Sequence, residues 1–286
     1  VRFAKLHGAG NDFLMLEGQE ERDWELLSRA MCDRRFGAGA DGVMLVLPSK
    51  RAAVRMRLFN ADGSEAEVSG NGIRCLVKYV IERGLARPAG GKLTVEAAHD
   101  VLEADVTMEG SRVAGVRLSM GRPRLQPAEI PVAAEVQAPV LDLPVEVNGA
   151  VLRLACLSMG NPHAVQFIDG PVDQFPLAAL GPKVEHHPLF PARVNYGVAR
   201  VLDGGSMELR VWERGVGETL ACGTGSCAAA VAGRLKGLTG SRVDVRQPGG
   251  VLTVEWAGEG EVFLSGGAEF VYEGDWPDTA AGSLEV

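Results

Sequence analysis

The chain repeats itself. Gly10-Asn11 returns as Gly160-Asn161, Phe36 with Gly42-Val43 as Phe190 with Gly197-Val198, the alternating Met56-Arg57-Leu58 as Met207-Glu208-Leu209, and Ser69-Gly-Asn-Gly72 as Cys222-Gly-Thr-Gly225. The offsets are 150, 154–155, 151 and 153 residues, and the four anchors keep their order. No anchor alone carries weight, but four in register at nearly one spacing mark a duplicated unit with modest insertions. Two diverged copies do not make a solenoid, and 286 residues lie where one core stops growing, so two similar lobes are expected.

Within each copy a period-2 stretch, Val54–Phe59 or Glu208–Trp212, reads as a half-buried strand followed by a Gly-rich turn and a helix. After Asn71 the apolar positions Ile73, Leu76, Val77, Val80 and Ile81 follow helical spacing, and Gly84 supplies a stop. Residues 227–233 carry no polar side chain, which predicts a helix enclosed on every side and ending near Gly237. The segments Leu93–Glu96, Val101–Val106, Val113–Met120, Val243–Arg246, Val251–Trp256 and Val262–Leu264 are short and β-rich. The expected class is α+β, two pseudo-symmetric lobes, each a curved or barrel-like antiparallel-rich sheet around a central helix. Residues 1–122 are assigned to the first lobe and 123–267 to the second. Ala268–Val286 is expected to return to the first, and the active site to lie in the cleft between the lobes. The Pro-rich stretch Arg122–Val147 is the natural crossover.

Charge narrows the function. Lys and Arg number 29 against 37 Asp and Glu, a net charge of −8 without a dense basic run, which argues against nucleic acid as partner and for a small molecule. The longest apolar stretch, Gly42–Leu47, is too short for a membrane span, and the N-terminal residues lack the basic-then-apolar pattern of a signal peptide. Five cysteines, an odd number scattered through the chain, suit free thiols in a reducing compartment, so a cytoplasmic location is expected. Gly37, Gly39 and Gly42 mimic a dinucleotide fingerprint, but they precede a strand instead of opening a helix after one. Neither they nor the adjacent His186 and His187 predict a nucleotide or metal cofactor.

The duplication places Ser69 and Cys222 alike, each before a Gly-x-Gly that opens a helix. A helix N-terminus offers unpaired N–H groups and partial positive charge, which can hold a carboxylate and favour a thiolate. Two such termini across one substrate carbon would supply the opposed acid and base that inversion requires.

The motifs resemble those of the diaminopimelate epimerase family over essentially the whole chain. They are Lys5-Leu-His-Gly-Ala-Gly-Asn-Asp-Phe13, Phe59-Asn-Ala-Asp-Gly-Ser-Glu65, Gly70-Asn-Gly-Ile-Arg-Cys75, Gly160-Asn-Pro-His163, Asn195, and Trp212-Glu-Arg-Gly215 through Ala221-Cys-Gly-Thr-Gly225. The resemblance implies a homodimeric, PLP-independent amino-acid epimerase that needs no metal and uses a thiolate/thiol pair. Cys222 matches one of the pair; Ser69 stands where the family has its other cysteine, so this form is expected to be impaired. Ser69 is either an engineered replacement or a natural variant, and the intact remaining motifs favour the former. By the same resemblance Asn60, Asn161, Asn195 and Arg214 hold the distal amino-acid end of the substrate. Asn11 and Glu213, with His163 as auxiliary, lie near the reacting amine, and Gly70, Asn71, Gly223 and Thr224 offer backbone N–H groups to the reacting carboxylate. Gly42 occupies a position often filled by Gln, and Tyr272 is a candidate dimer contact.

Ordinary roles compete with these. Ser69 alone reads as a helix N-cap, His163 as a loop histidine, Glu213-Arg214 as a surface ion pair, and Cys32, Cys75, Cys156 and Cys227 as buried structural thiols. Rival functions are another racemase of the superfamily acting on histidine or a proline derivative, a thiol hydrolase using Cys222 with His163, and a catalytically dead amino-acid-binding protein.

Overall fold

The computed structural model describes residues 1–18, 22–66, 69–98 and 100–277. It divides into two compact units, Val1–Leu118 with Gly266–Val286, and Ser119–Ser265. Of the returning segment, residues 278–286 lie outside the described residues.

The first unit contains strands β1 (Arg2–Gly8), β2 (Asn11–Glu17), β3 (Gly42–Leu47), β4 (Val54–Asn60), β5 (Glu65–Ala66), β6 (Lys92–Ala97), β7 (Asp100–Glu109) and β8 (Arg112–Ser119, its last residue falling in the second unit). Helix α1 (Trp24–Cys32) precedes β3, and α2 (Gly70–Glu82) follows β5. The second unit contains β9 (Val140–Val147), β10 (Ala150–Ser158), β11 (Pro162–Phe167), β12 (Asn195–Asp203), β13 (Ser206–Glu213), β14 (Gly217–Thr219), β15 (Arg242–Gln247), β16 (Gly250–Glu255) and β17 (Phe263–Gly266, which reaches the boundary). Its helices are α3 (Leu177–Glu185) and α4 (Gly223–Leu235), and β18 (Glu269–Asp275) belongs to the first unit.

The pairings repeat as faithfully as the sequence. In the first unit the order is β18-β1-β2-β3-β4-β6-β7-β8, with β5 also along β4. In the second it is β9-β10-β11-β12-β13-β15-β16-β17, with β14 along β13. Each sheet is antiparallel except at the same two places, β2 with β3 and β4 with β6, matched by β11 with β12 and β13 with β15. Parallel neighbours require a crossover, and these are where α1, α2, α3 and α4 lie in sequence. The duplicated units differ in the origin of their first strand, which comes from the C-terminal segment in one and from the chain just before β10 in the other.

The Pro-rich stretch is more than a crossover, because its last third forms β9. Val140, Leu143, Val145 and Val147 enter the second unit's core, while Pro144 sits at an exposed position opposite Arg153. Proline is tolerated where a strand is not required to donate on both sides.

Alternation explains the layers. Phe13 and Met15 of β2, with Met44 and Val46 of β3, pack in the cluster built on α2; Leu14, Leu16, Val43 and Leu45 pack in the cluster containing Leu27 and Met31 of α1. The uninterrupted apolar run Gly42–Leu47 is therefore a strand covered on both faces. Each fully buried side chain of this kind contributes roughly 1.5–3 kcal/mol relative to exposure.

Helices α2 and α4 correspond from cap to cap. Ser69 and Cys222 are their N-caps, and Gly84 and Gly237, both at φ +71°, turn the chain at the other end. There Leu85 N donates to Val80 O and Leu238 N to Gly233 O, both at 2.8 Å, the crossed pattern a left-handed residue permits. The α4 enclosure predicted from its composition is complete over residues 225–233. Helix α2 departs from its amphipathic reading, since residues 71–80 are all buried, including Arg74 and Lys78. Those cations survive burial because they are partnered: Arg74 donates to Asn71 Oδ1, and Lys78 to Glu82 Oε1 and Val113 O. No helix of the described residues is long and apolar enough to cross a membrane.

Candidate active site

In the first unit, Ser69 Oγ accepts from Gly72 N at 3.1 Å and closes the first turn of α2. A Cβ at Gly72 would stand 2.6 Å from Met44 Cε and 3.2 Å from Ser69 Cβ, so a larger residue there would have to move the Met44 methyl. The Asn71 side chain reaches back from the helix to the start of β2, where its Nδ2 donates to Asn11 Oδ1 at 3.2 Å. Ser69, Gly70, Asn71 and Asn11 are thus assembled on one helix terminus and the strand beside it. Asn60 ends β4, and its Nδ2 donates to Ser64 Oγ at 3.0 Å across the following turn. Opposite Asn60 in the ladder is Gly42, where a Cβ would meet Phe59 O at 2.7 Å, so this backbone has no room for the Gln that often fills the position in the family it resembles.

The second unit holds the thiol. Cys222 Sγ accepts from Gly225 N at 3.4 Å, and its own backbone N donates to Gln247 Oε1 at 2.9 Å. The sulfur is 3.6 Å from Thr224 Oγ1, which accepts from Asn161 Nδ2 at 3.3 Å. Asn161 Oδ1 in turn takes the proton of His163 Nε2 at 3.0 Å. Burial, then the neighbouring Glu213 carboxylate, push the Cys222 thiol well above the ordinary thiol range, against the pull of Thr224 and Gly225 N. Cys222 therefore rests as a neutral thiol, and the neighbouring Glu213 accepts from Thr219 Oγ1 at 2.6 Å.

His163 is not on a loop but within β11, and it is almost wholly buried. Burial, assisted by the Arg214 charge, lowers its pKa to about 3, so the ring is a neutral hydrogen-bonding group at working pH. Asn195 pairs in register with His163, donates from Nδ2 to Pro162 O at 2.8 Å and accepts Arg214 N at 2.9 Å. Arg214 NH1 donates to Ala192 O at 2.9 Å. Glu213 and Arg214 therefore each have their own partners, unlike the surface ion pair that the dipeptide alone suggests.

Four supporting residues escaped the sequence reading. Gln247 spans from Cys222 N to Ser226 Oγ, the latter at 2.8 Å. Buried Glu185 on α3 accepts Trp212 Nε1 at 2.8 Å and Gly215 N at 2.9 Å, bracketing Glu213 and Arg214. Asp12 and Arg34 form a forked ion pair at 2.8 and 3.1 Å, joined by Lys5 Nζ at 2.9 Å from Asp12. Each acts across at least 7 residues of chain, from Asp12 to Lys5, and as many as 30, from Glu185 to Gly215, which local spacing does not reveal. Cys32, Cys75 and Cys156 are buried, and desolvation raises each thiol to about 12; Cys227 is buried on α4. Tyr272 on β18 is exposed and donates to Ala38 O at 2.8 Å. Among the described residues no group of three or more His, Cys, Asp and Glu side chains could hold a metal ion.

The Asp12 cluster gives an acid-stability prediction. Burial alone would raise the Asp12 pKa, but the Arg34 and Lys5 hydrogen bonds and charges prevail and bring it from 3.8 to about 2. A depressed carboxylate contributes stability above its unfolded pKa and loses it as pH falls through the folded one. Between about pH 4 and pH 2 this group should therefore withdraw on the order of 1 kcal/mol, after allowance for solvent screening. In urea titrations across that range, Asp12→Asn should be less stable than the parent at pH 7 yet show a shallower acid decline; an equal slope in both would exclude Asp12 as a contributor.

Solved structures with a related fold include a probable proline racemase from Agrobacterium radiobacter K84 with bound carbonate. It is 17% identical, with TM-score 0.70, covering 98% of this chain and 95% of that one. A hydroxyproline epimerase from Agrobacterium vitis with bound trans-4-OH-L-proline is 17% identical with TM-score 0.69, covering 96% and 91%. At that identity the likeness concerns the fold alone. Sequence relatives are nearer: the diaminopimelate epimerase of Moorella thermoacetica is 50% identical over 281 residues, 97% of this chain and 99% of the relative. That of Pelotomaculum thermopropionicum is 47% identical over the same length, covering 97% and 99%. The sequence profile of the diaminopimelate epimerase family matches residues 3–126 and 155–271, a span that takes in both glycine-flanked helix termini. With near-complete coverage at this identity, the chain belongs to the diaminopimelate epimerase family, amino-acid epimerases of the isomerase class.

Proposed function

We propose that the chain interconverts LL- and meso-diaminopimelate by proton transfer on opposite faces of one α-carbon, without PLP, metal or nucleotide, and that Ser69 impairs this form. The observation that carries the reading is the matched pair of helix caps, Ser69 on α2 and Cys222 on α4, each accepting from the N–H three residues on. The family relationship supports diaminopimelate as substrate. In this reading residues 69 and 222 are the two proton-transfer groups, and the reacting carboxylate is taken by the N–H groups of Gly70, Asn71, Gly223 and Thr224. These donors and the helix dipoles spread the charge that develops when the α-proton leaves.

Cys222 donates its proton to the carbanion in one direction. In the other it first passes that proton to Glu213 and then, as thiolate, removes the α-proton. Asn11, Glu213 and His163 lie at the reacting amine; Asn60, Asn161, Asn195 and Arg214 take the distal ammonium and carboxylate, the guanidinium forking onto the latter. Ser69 fills the cap but is a poor base, because an alcohol gives up its proton far less readily than a thiol. We also propose a cytoplasmic homodimer with Tyr272 at the contact. The deciding experiment is proton NMR in D2O, following α-proton loss and isomer conversion from LL- and from meso-diaminopimelate. Conversion of neither isomer by the chain or by its Ser69→Cys variant would overturn the substrate assignment.

A further inference from the structure

We propose that Asp41 is a positioning residue which, with Arg34 behind it, fixes the direction of the Asn11 side chain so that its carbonyl oxygen meets the substrate's ammonium. This rests on the reading of Asn11 as a neighbour of the reacting amine. An amide has a donor end and an acceptor end of nearly the same shape, and only its partners decide which way it points. Here both ends of a short relay are decided by charge. At one end the buried Arg74 guanidinium, which can only donate, gives a hydrogen to Asn71 Oδ1 at 2.6 Å. That turns Asn71 Nδ2 outward as a donor to Asn11 Oδ1 at 3.2 Å.

At the other end the Asp41 carboxylate, which can only accept, takes Asn11 Nδ2 at 2.7 Å. Asp41 is itself held. Its Oδ2 accepts Asp12 N at 3.1 Å, its Oδ1 accepts Arg34 NH2 at 2.7 Å, and its backbone N donates to Asp12 Oδ1 at 2.9 Å. Arg34 is fixed in turn by its fork onto Asp12, and Lys5 Nζ binds both Asp12 and the carbonyl of Gly39. Reversing Asn11 would set its Nδ2 against Asn71 Nδ2 and its Oδ1 against the Asp41 carboxylate, donor against donor and acceptor against acceptor. The relay therefore permits one orientation, in which the second lone pair of Asn11 Oδ1 is available to an ammonium group. Lys5, Asp12, Arg34 and Asp41 make the strand a selective acceptor before any substrate arrives, and no ordering cost falls on the binding step.

The test is a residue swap read by calorimetry and NMR. Asp41→Asn loses the acceptor-only end: with Arg34 holding the new amide's one oxygen, its Nδ2 faces both Asn11 Nδ2 and Asp12 N, donor against donor, and the relay is frustrated. Diaminopimelate should bind the Asp41→Asn chain about tenfold more weakly than the parent, one hydrogen bond's worth. Asn11→Asp alone sets two carboxylates together and should bind more weakly as well. In the double variant Asn11→Asp with Asp41→Asn, residue 11 again accepts on both sides and again presents an oxygen, although Asp12 N still faces the new amide's Nδ2, so affinity should rise about threefold above that of Asp41→Asn alone. A residue needed only for folding would not give that reciprocal rescue. Unchanged affinity in Asp41→Asn, or no recovery in the double variant, would overturn the proposal. If the parent chain binds no diaminopimelate, the substrate reading fails. The relay is then judged on the Asn11 side-chain amide signals, which should show one hydrogen protected from exchange in the parent and lose that protection in Asp41→Asn; an unprotected parent signal would sink it.

Discussion

Ser69→Cys should raise the rate of LL- to meso-diaminopimelate conversion by roughly three orders of magnitude, since one positioned acid–base group contributes about 10²–10⁴. The change asks little of the fold. Ser69 already occupies an N-cap whose counterpart, Cys222, shows that a sulfur fits this geometry, at 3.4 Å from the capping N–H against 3.1 Å for the hydroxyl. What changes is acidity, because an alcohol resists giving up its proton far more than a thiol does. The parent chain should exchange the α-proton of only one isomer with solvent, through Cys222 and Glu213, and convert almost none. In D2O the variant should lose the α-proton signal from both isomers and reach the same mixture from either side. Equal, rapid conversion by the parent would show that the Ser69 hydroxyl suffices and that the two-thiol scheme is wrong for this chain.

Much of the fold was legible where a segment's environment is uniform along its length. The apolar run in α4 could only be an enclosed helix, and the repeated glycine-flanked caps put Ser69 and Cys222 in view from the sequence alone. Legibility failed where identical letters meet different surroundings. Phe36 and Phe190 anchor the same place in the repeat, yet the first is 85% exposed and the second 2%, packed in the core of its own unit. Helix α2 reads as amphipathic because Arg74 and Lys78 are charged, and only their long-range partners, Gly267 O and Val113 O among them, permit those cations inside. Strand order was hidden for the same reason: nothing local to β18 states that it lies along β1, whose residue Arg2 pairs with Asp275.

The candidate site, as proposed, follows that division. Cys222 was readable from its glycines, and Asn11 and Asn161 from their pairing in the repeat. Asp41, Gln247 and Glu185 were not, because each acts through a hydrogen bond to a residue far along the chain and none has a counterpart in the repeat to raise it above the ordinary polar background. Asp41 also stood inside the glycine pattern that resembled a nucleotide loop.

Cys222→Ser, made in the Ser69→Cys background, should abolish epimerisation by at least about 10³-fold while leaving the fold intact. The structural half of this expectation comes from the first unit, where a serine already caps α2 in the same turn. Serine is among the preferred N-cap residues, so the α4 terminus should keep its bond to Gly225 N, and melting should move by no more than about 4 °C. The chemical half comes from Glu213. In the proposed mechanism its carboxylate takes the proton of residue 222, but an alcohol resists giving one up far more than a thiol does, and the Thr224 hydroxyl that would steady a thiolate cannot close that gap. The double variant should then mirror the parent chain: exchange through the thiol introduced at position 69 from the isomer that the parent leaves untouched, none from the other, and no net conversion. Residual conversion within tenfold of the Ser69→Cys form would remove Cys222 from the proton-transfer step and leave it as a helix cap. Exchange from both isomers without conversion would instead mean that one thiol reaches both faces of the carbon, contrary to a two-base scheme.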